Sequence, residues 1–110
     1  MYAIRATYLA RDDMYFDQEY YVNYHMPLAQ KLLSGRVKYV QMYAEFVTRV
    51  MMQENELRSP GIFVLMVESK AEIQAFNLFR RSEHAKPLRE DIKNYTNCEP
   101  EWTVAELVGY

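Results

Sequence analysis

The chain has 110 residues, half of them hydrophobic and a quarter charged, which suits one globular domain, 1–110, around a single core. Thirteen basic against fifteen acidic residues give a net charge of −2, and no basic run exceeds Arg80-Arg81, so an electrostatic nucleic-acid binder is not expected. The lone Cys98 excludes an internal disulfide and a cysteine-based metal cluster, and the absence of an apolar leader or bilayer-length run makes the cytoplasm the expected compartment, without a membrane partner.

Residues 2 to 11 read as a strand with apolar residues on both parities, Tyr2, Ile4, Ala6 and Tyr8 against Ala3, Thr7 and Leu9. Arg11-Asp12-Asp13 ends it as a turn. A helix then runs from Phe16 to Leu33, with Asp17 as N-cap, Glu19 at the positive end of the dipole, and Phe16 and Tyr21 spaced as a hydrophobic staple. At about 100° per residue its buried stripe is Tyr21, His25, Leu28 and Leu32, with Glu19, Asn23, Met26 and Gln30 opposite. Pro27 withholds an N–H from Asn23, so a bend or loosened turn is expected beside the histidine. Taken alone, His25 can be a core histidine satisfied by a phenol or a carbonyl. The phenols of Tyr20, Tyr21 and Tyr24 around it, in a chain with ten tyrosines, favour a pocket.

Ser34-Gly35 stops the helix, and Arg36 to Arg49 reads as a second strand, again apolar on both sides. Val50 to Pro60 reads as a connecting loop in which Met51 and Met52 pack loosely or cover an opening. Ile62 to Val67 is a short apolar strand. Ser69-Lys70-Ala71-Glu72 fits a capping box, opening a helix whose inner face is Ile73, Phe76 and Phe79 or Arg80. Pro87 suggests a further helical piece from about Lys86 to Lys93, followed by a turn at Asn94-Tyr95-Thr96-Asn97. Cys98 reads as a bystander in that turn-like stretch. A last strand carries Trp102, Val104, Glu106 and Val108 alternating with Thr103, Ala105 and Leu107.

The order is strand, helix, strand, strand, helix, strand, which right-handed crossovers convert into an α+β fold, an open four-stranded antiparallel sheet with both helices on one face. Three of the four strands read as apolar on both parities, so something must cover the second face. A second copy is the simplest cover, and a homodimer joined sheet to sheet is expected.

Tyr8, Phe16-Asp17, Tyr20-Tyr21, His25 and Pro27, then His84-Ala85, Asp91-Ile92, Asn94-Tyr95-Thr96, Pro100 and Glu106, together resemble the EthD family of the dimeric α+β barrel superfamily. The resemblance implies a ferredoxin-like βαββαβ protomer that pairs into a dimeric α+β barrel. It also implies a link to degradation of ethyl tert-butyl ether, or to the decarboxylation or dehydration of aromatic polyketides by related fungal enzymes. Neighbouring families include cofactor-free monooxygenases, polyketide cyclases and muconolactone isomerases. Isomerases similar to these use a cysteine on the first helix, and this chain has none there.

The family-matched histidines are the only two in the chain, and imidazole is the side chain best suited to moving a proton near neutral pH. His25 is placed as general acid or base in a cleft between helices and sheet, with Tyr21 and Tyr95 as its catalytic partners. Tyr8, Tyr24, His84 and Asn94 are placed as substrate-binding residues. His84 has the alternative of capping carbonyls, and Asp91 that of orienting a histidine or, as preferred, facing water. No metal site and no cofactor are expected, since the histidines lack ligand spacing and no glycine-rich phosphate loop occurs. The expected function is proton transfer on an aromatic, polyketide-like or lactone small molecule, by decarboxylation, dehydration, cyclisation or isomerisation. The alternatives are a non-catalytic binding protein and a cofactor-free monooxygenase. An RNA-recognition module shares the strand order, but the acidic balance argues against it.

Overall fold

Strand β1 (Tyr2–Tyr8) leads to a composite helix α1, built from an α turn Gln18–Tyr20, a π-helical segment Tyr21–His25 and an α run Met26–Leu33. Strands β2 (Gln41–Glu45) and β3 (Ile62–Val67) follow. Helix α2 (Lys70–Arg81), a 3₁₀ turn (Glu83–Ala85), helix α3 (Lys86–Tyr95) and strand β4 (Pro100–Glu106) complete this computed structural model, which describes all 110 residues. The sheet order is β2-β3-β1-β4 with every pair antiparallel, the ferredoxin-like arrangement that the sequence implies. No helix is long and apolar enough to cross a membrane.

The pleat divides the sheet cleanly. Ile4 and Ala6 of β1 and Phe63, Leu65 and Val67 of β3 point to the helices, where they join Leu33, Phe76 and Phe79 in the main core. Their neighbours Ala3, Arg5 and Thr7, with Ile62, Val64 and Met66, point the other way, and the register sets Tyr43 and Thr103 beside them. This second face is more mixed than the sequence pattern suggests. Arg5 lies 3.9 Å from Glu45 across it, and the apolar residues form a strip along β3. With helices on one side only, the molecule is a slab 21 Å thick.

Local signals explain most boundaries. The Asp17 carboxylate accepts from the Tyr20 amide at 3.0 Å, and Phe16 packs on Tyr21 with ring centres 5.3 Å apart, as a capped and stapled helix requires. The capping box at Ser69 does not form. The Glu72 carboxylate accepts instead from the amide of Lys38, at 2.9 Å, and so ties α2 to the approach to β2. β2 is far shorter than 36 to 49, because the chain leaves the sheet after Glu45 and Leu57 turns back to bond Thr48.

The one correction inside α1 bears on the site. The stripe expected at Leu28 and Leu32 lies one residue later, at Ala29 and Leu33. The π segment is the cause: the Met26 amide reaches back five residues to the carbonyl of Tyr21, taking up one extra residue and turning everything downstream by about 100°. Pro27 sits just behind it, where its missing N–H breaks the ladder at least cost. Tyr21 and His25 thus share one face with Ala29 and Leu33.

Candidate functional site

The two blocks of distinctive residues, far apart in sequence, meet where the start of α1 is stapled onto the end of α3. Phe16 bridges Thr96, the Asp17 amide donates to the Tyr95 carbonyl at 2.7 Å, and the Thr96 hydroxyl donates to the Tyr15 carbonyl at 2.7 Å. The stretch expected to be a free turn is therefore the last turn of α3, at Asn94 and Tyr95, followed by a β-like clasp. Cys98 is buried just after that clasp, its amide donating to the Thr96 hydroxyl at 2.9 Å.

This clasp sets the π segment of α1 against α3 and brings His25 to Asp91. Nδ1 of His25 lies 2.9 Å from Oδ2 of Asp91, so Asp91 faces the histidine and not water. The other carboxylate oxygen accepts from the Tyr20 hydroxyl at 2.6 Å and from the Asn94 amide at 3.0 Å. Burial raises Asp91, but the hydrogen bonds from Tyr20, Asn94 and His25 outweigh it and hold the carboxyl below its ordinary range. Burial dominates at His25 and lowers it below 6.5 despite the opposing pull of Asp91. At neutral pH the pair is therefore a carboxylate and a neutral imidazole, with the ring proton on Nδ1 where the carboxylate can accept it. Nε2 keeps its lone pair.

Nε2 stands 3.4 Å from the hydroxyl of Tyr95, which in turn shares a 2.6 Å hydrogen bond with the hydroxyl of Tyr8. Tyr21 stacks on the imidazole at 5.3 Å between centres. Tyr21 and Tyr95 are 1% and 0% exposed, and His25 8%. Desolvation pushes the phenols of Tyr8, Tyr21 and Tyr95 upward, so all three remain protonated and act as hydrogen-bond donors or relays.

His25, Tyr21 and Tyr8 form one wall of a cavity of about 250 Å³ between the helices and the sheet. The rest of the lining is apolar or aromatic, from Ala29 and Leu33 of α1, Phe63 of β3, Phe76 and Phe79 of α2, and Trp102 of β4, with Arg80 and Arg89 as its charged members. An apolar chamber with few polar groups is the usual form of a small-molecule site. A cavity of about 150 Å³ accommodates benzene, so this one has room for a substituted ring or two small rings. No three His, Cys, Asp or Glu side chains gather in a way that could hold a metal ion.

Of the residues expected at the site, the structure gathers His25, Tyr21, Tyr95 and Tyr8. Asn94 reaches it only through Asp91. Tyr24 is 66% exposed and stacks on Tyr20, while His84 is exposed and accepts from Arg36 at 3.1 Å, so neither lines the cavity. Asp91, Arg80, Arg89 and Trp102 were not among the expected site residues. The spacing of Leu88, Asp91, Ile92 and Tyr95 marks one face of α3 and is the signal that could have found Asp91.

Three solved structures match over almost the whole chain. An EthD-like protein of Ralstonia eutropha superposes with a TM-score of 0.78 at 19% identity, covering 98% of this chain and 92% of the other. An ethyl tert-butyl ether D (EthD) family protein of Bacillus halodurans gives 0.65 at 17%, covering 98% and 99%. An antibiotic biosynthesis monooxygenase gives 0.51 at 12%, covering 99% and 100%. At these identities the likeness is one of fold. No curated protein matches the sequence. A profile of the EthD domain matches residues 15–98, from just before the cap of α1 to the cysteine after the clasp and so across both halves of the histidine site; the chain belongs to the EthD family.

Proposed function

We propose that the cavity is the active site of a cofactor-independent enzyme in which His25 moves a proton to or from a small aromatic, polyketide-like or lactone substrate. The supporting observation is the 2.9 Å contact between His25 and Asp91 at the wall of an apolar cavity. Asp91 fixes the tautomer and stabilises the imidazolium that forms when Nε2 takes a proton. Tyr8, which lines the cavity, supplies a donor for an oxygen that gains negative charge, as in an enolate or phenolate, and the fully buried Tyr95 behind it hydrogen-bonds to the Tyr8 hydroxyl. Decarboxylation, dehydration, cyclisation and isomerisation all need that movement, in a catabolic or secondary-metabolic setting. A second copy covering the apolar strip of the open sheet face completes the reading as a homodimer.

The test is a turnover screen of hydroxylated aryl carboxylates, β-hydroxy aryl ketones and small lactones with the native chain and with His25→Ala. Turnover is expected to fall by about 10² or more in the variant while circular dichroism shows the fold retained. Equal turnover removes His25 from the chemistry. Saturable binding without turnover by the native chain makes the protein a carrier.

A further inference from the structure

The other end of the cavity carries a positive charge with nothing to meet it. Arg80, in the last turn of α2, lines the cavity, yet its Nε is buried and has no hydrogen-bond partner. Its guanidinium carbon lies over the indole of Trp102, 5.0 Å from the ring centre, within cation–π range. Arg89 stands beside it, one of its terminal nitrogens donating to the carbonyls of Arg80 at 2.8 Å and Ser82 at 2.9 Å. Neither arginine makes an ion pair, and no carboxylate is part of the lining, because Asp91 is turned toward His25. A buried guanidinium N–H without an acceptor is costly unless a ligand supplies one.

We infer that the cavity takes an aryl carboxylate and that Arg80 is the residue that selects for its acid group, a reading that rests on the cavity being the ligand site. A carboxylate matches the planar fork of a guanidinium with two parallel hydrogen bonds, and an aromatic body matches the surrounding Phe76 and Trp102. The volume admits one or two rings. Trp102 faces Ala6 across the sheet and Tyr8 faces Pro100, so the arginine and tyrosine ends lie one pleat repeat apart, about 7 Å along the strand. A ring anchored on Arg80 would therefore reach the His25 wall.

The experiment compares 2-naphthoate with its neutral isostere 2-naphthamide by isothermal titration calorimetry, using the native chain, Arg80→Met and Arg80→Lys. The native chain is expected to bind the acid at least about tenfold more tightly than the amide, with the Arg80 Nε–H resonance shifting on addition of the acid. Arg80→Met should remove the preference, and Arg80→Lys should keep part of it. Equal affinities in the native chain, a preference that survives in Arg80→Met, or no binding of naphthoate at millimolar concentration would overturn the inference. The comparison needs no turnover, so an inactive His25 and an unselective Arg80 give separate results.

Discussion

At the scale of single residues, the site depends on two side chains that the fold holds below their ordinary titration ranges, His25 by burial and Asp91 by the hydrogen bonds it accepts. As a base, His25 must be neutral, so kcat/KM should rise along an acid limb whose midpoint lies below 6.5, the ordinary value for the group. Asp91→Asn removes the charge that pulls His25 upward. The midpoint should then move to lower pH and kcat should fall by about 10², which a pH–rate profile would measure. The same groups make the fold acid-sensitive. Because the folded state holds His25 below 6.5, the unfolded chain takes up the proton first; the stability this contributes is complete above 6.5 and is lost as pH falls through the folded value. Asp91, held below 3.8, adds a further loss in the same direction at lower pH. Denaturant midpoints that do not change between neutrality and mild acid would contradict this account.

At the scale of elements, the π segment of α1 is what lets one helix serve both core and site. Its extra residue draws Ala29 and Leu33 into line with Tyr21 and His25, where a regular α-helix would spread the four over about 120°. Deleting the exposed Asn23 should restore regular α geometry and force a choice between the two anchors. Unfolding free energy should drop by about 2 kcal/mol, and the His25 ring signals should titrate nearer 6.5 as the residue leaves its buried position, whose desolvation is the main cause of the lowering. Unchanged stability together with an unchanged histidine titration would show that the segment does not set this geometry. The clasp between Tyr15–Asp17 and Tyr95–Asn97 is the second such device, and it accounts for the sequence signal being split into two distant blocks.

At the scale of the whole molecule, the open sheet face and the 21 Å slab belong together. Ile62 and Met66 are half-buried on that face, and Val64 between them is shielded by its neighbours on adjacent strands. A sheet packed on a second sheet would bury this strip together with the Arg5–Glu45 pair that reaches across it. Ile62→Arg should therefore give a monomer in sedimentation velocity at micromolar protein, with the native chain running as a dimer. A native chain that sediments as a monomer would remove the proposed partner.

The sequence by itself determined the element order, the capped and stapled start of α1, the apolar runs of β1 and β3 and, through resemblance, the family. These depend on local propensity, periodicity and the residues themselves, all of which are written along the chain. The one-residue shift of the α1 stripe, the short β2 and the unused cap at Ser69 were decided by tertiary contacts that override local preference. The same holds for the site. His25 could be marked from its neighbours, but its pairing with Asp91, the retreat of Tyr24 and His84 to the surface, and the unpartnered Arg80 over Trp102 exist only once three helices close on the sheet. Hydrogen-bond geometry and burial are properties of residues brought together across the fold, and no spacing along one segment encodes them.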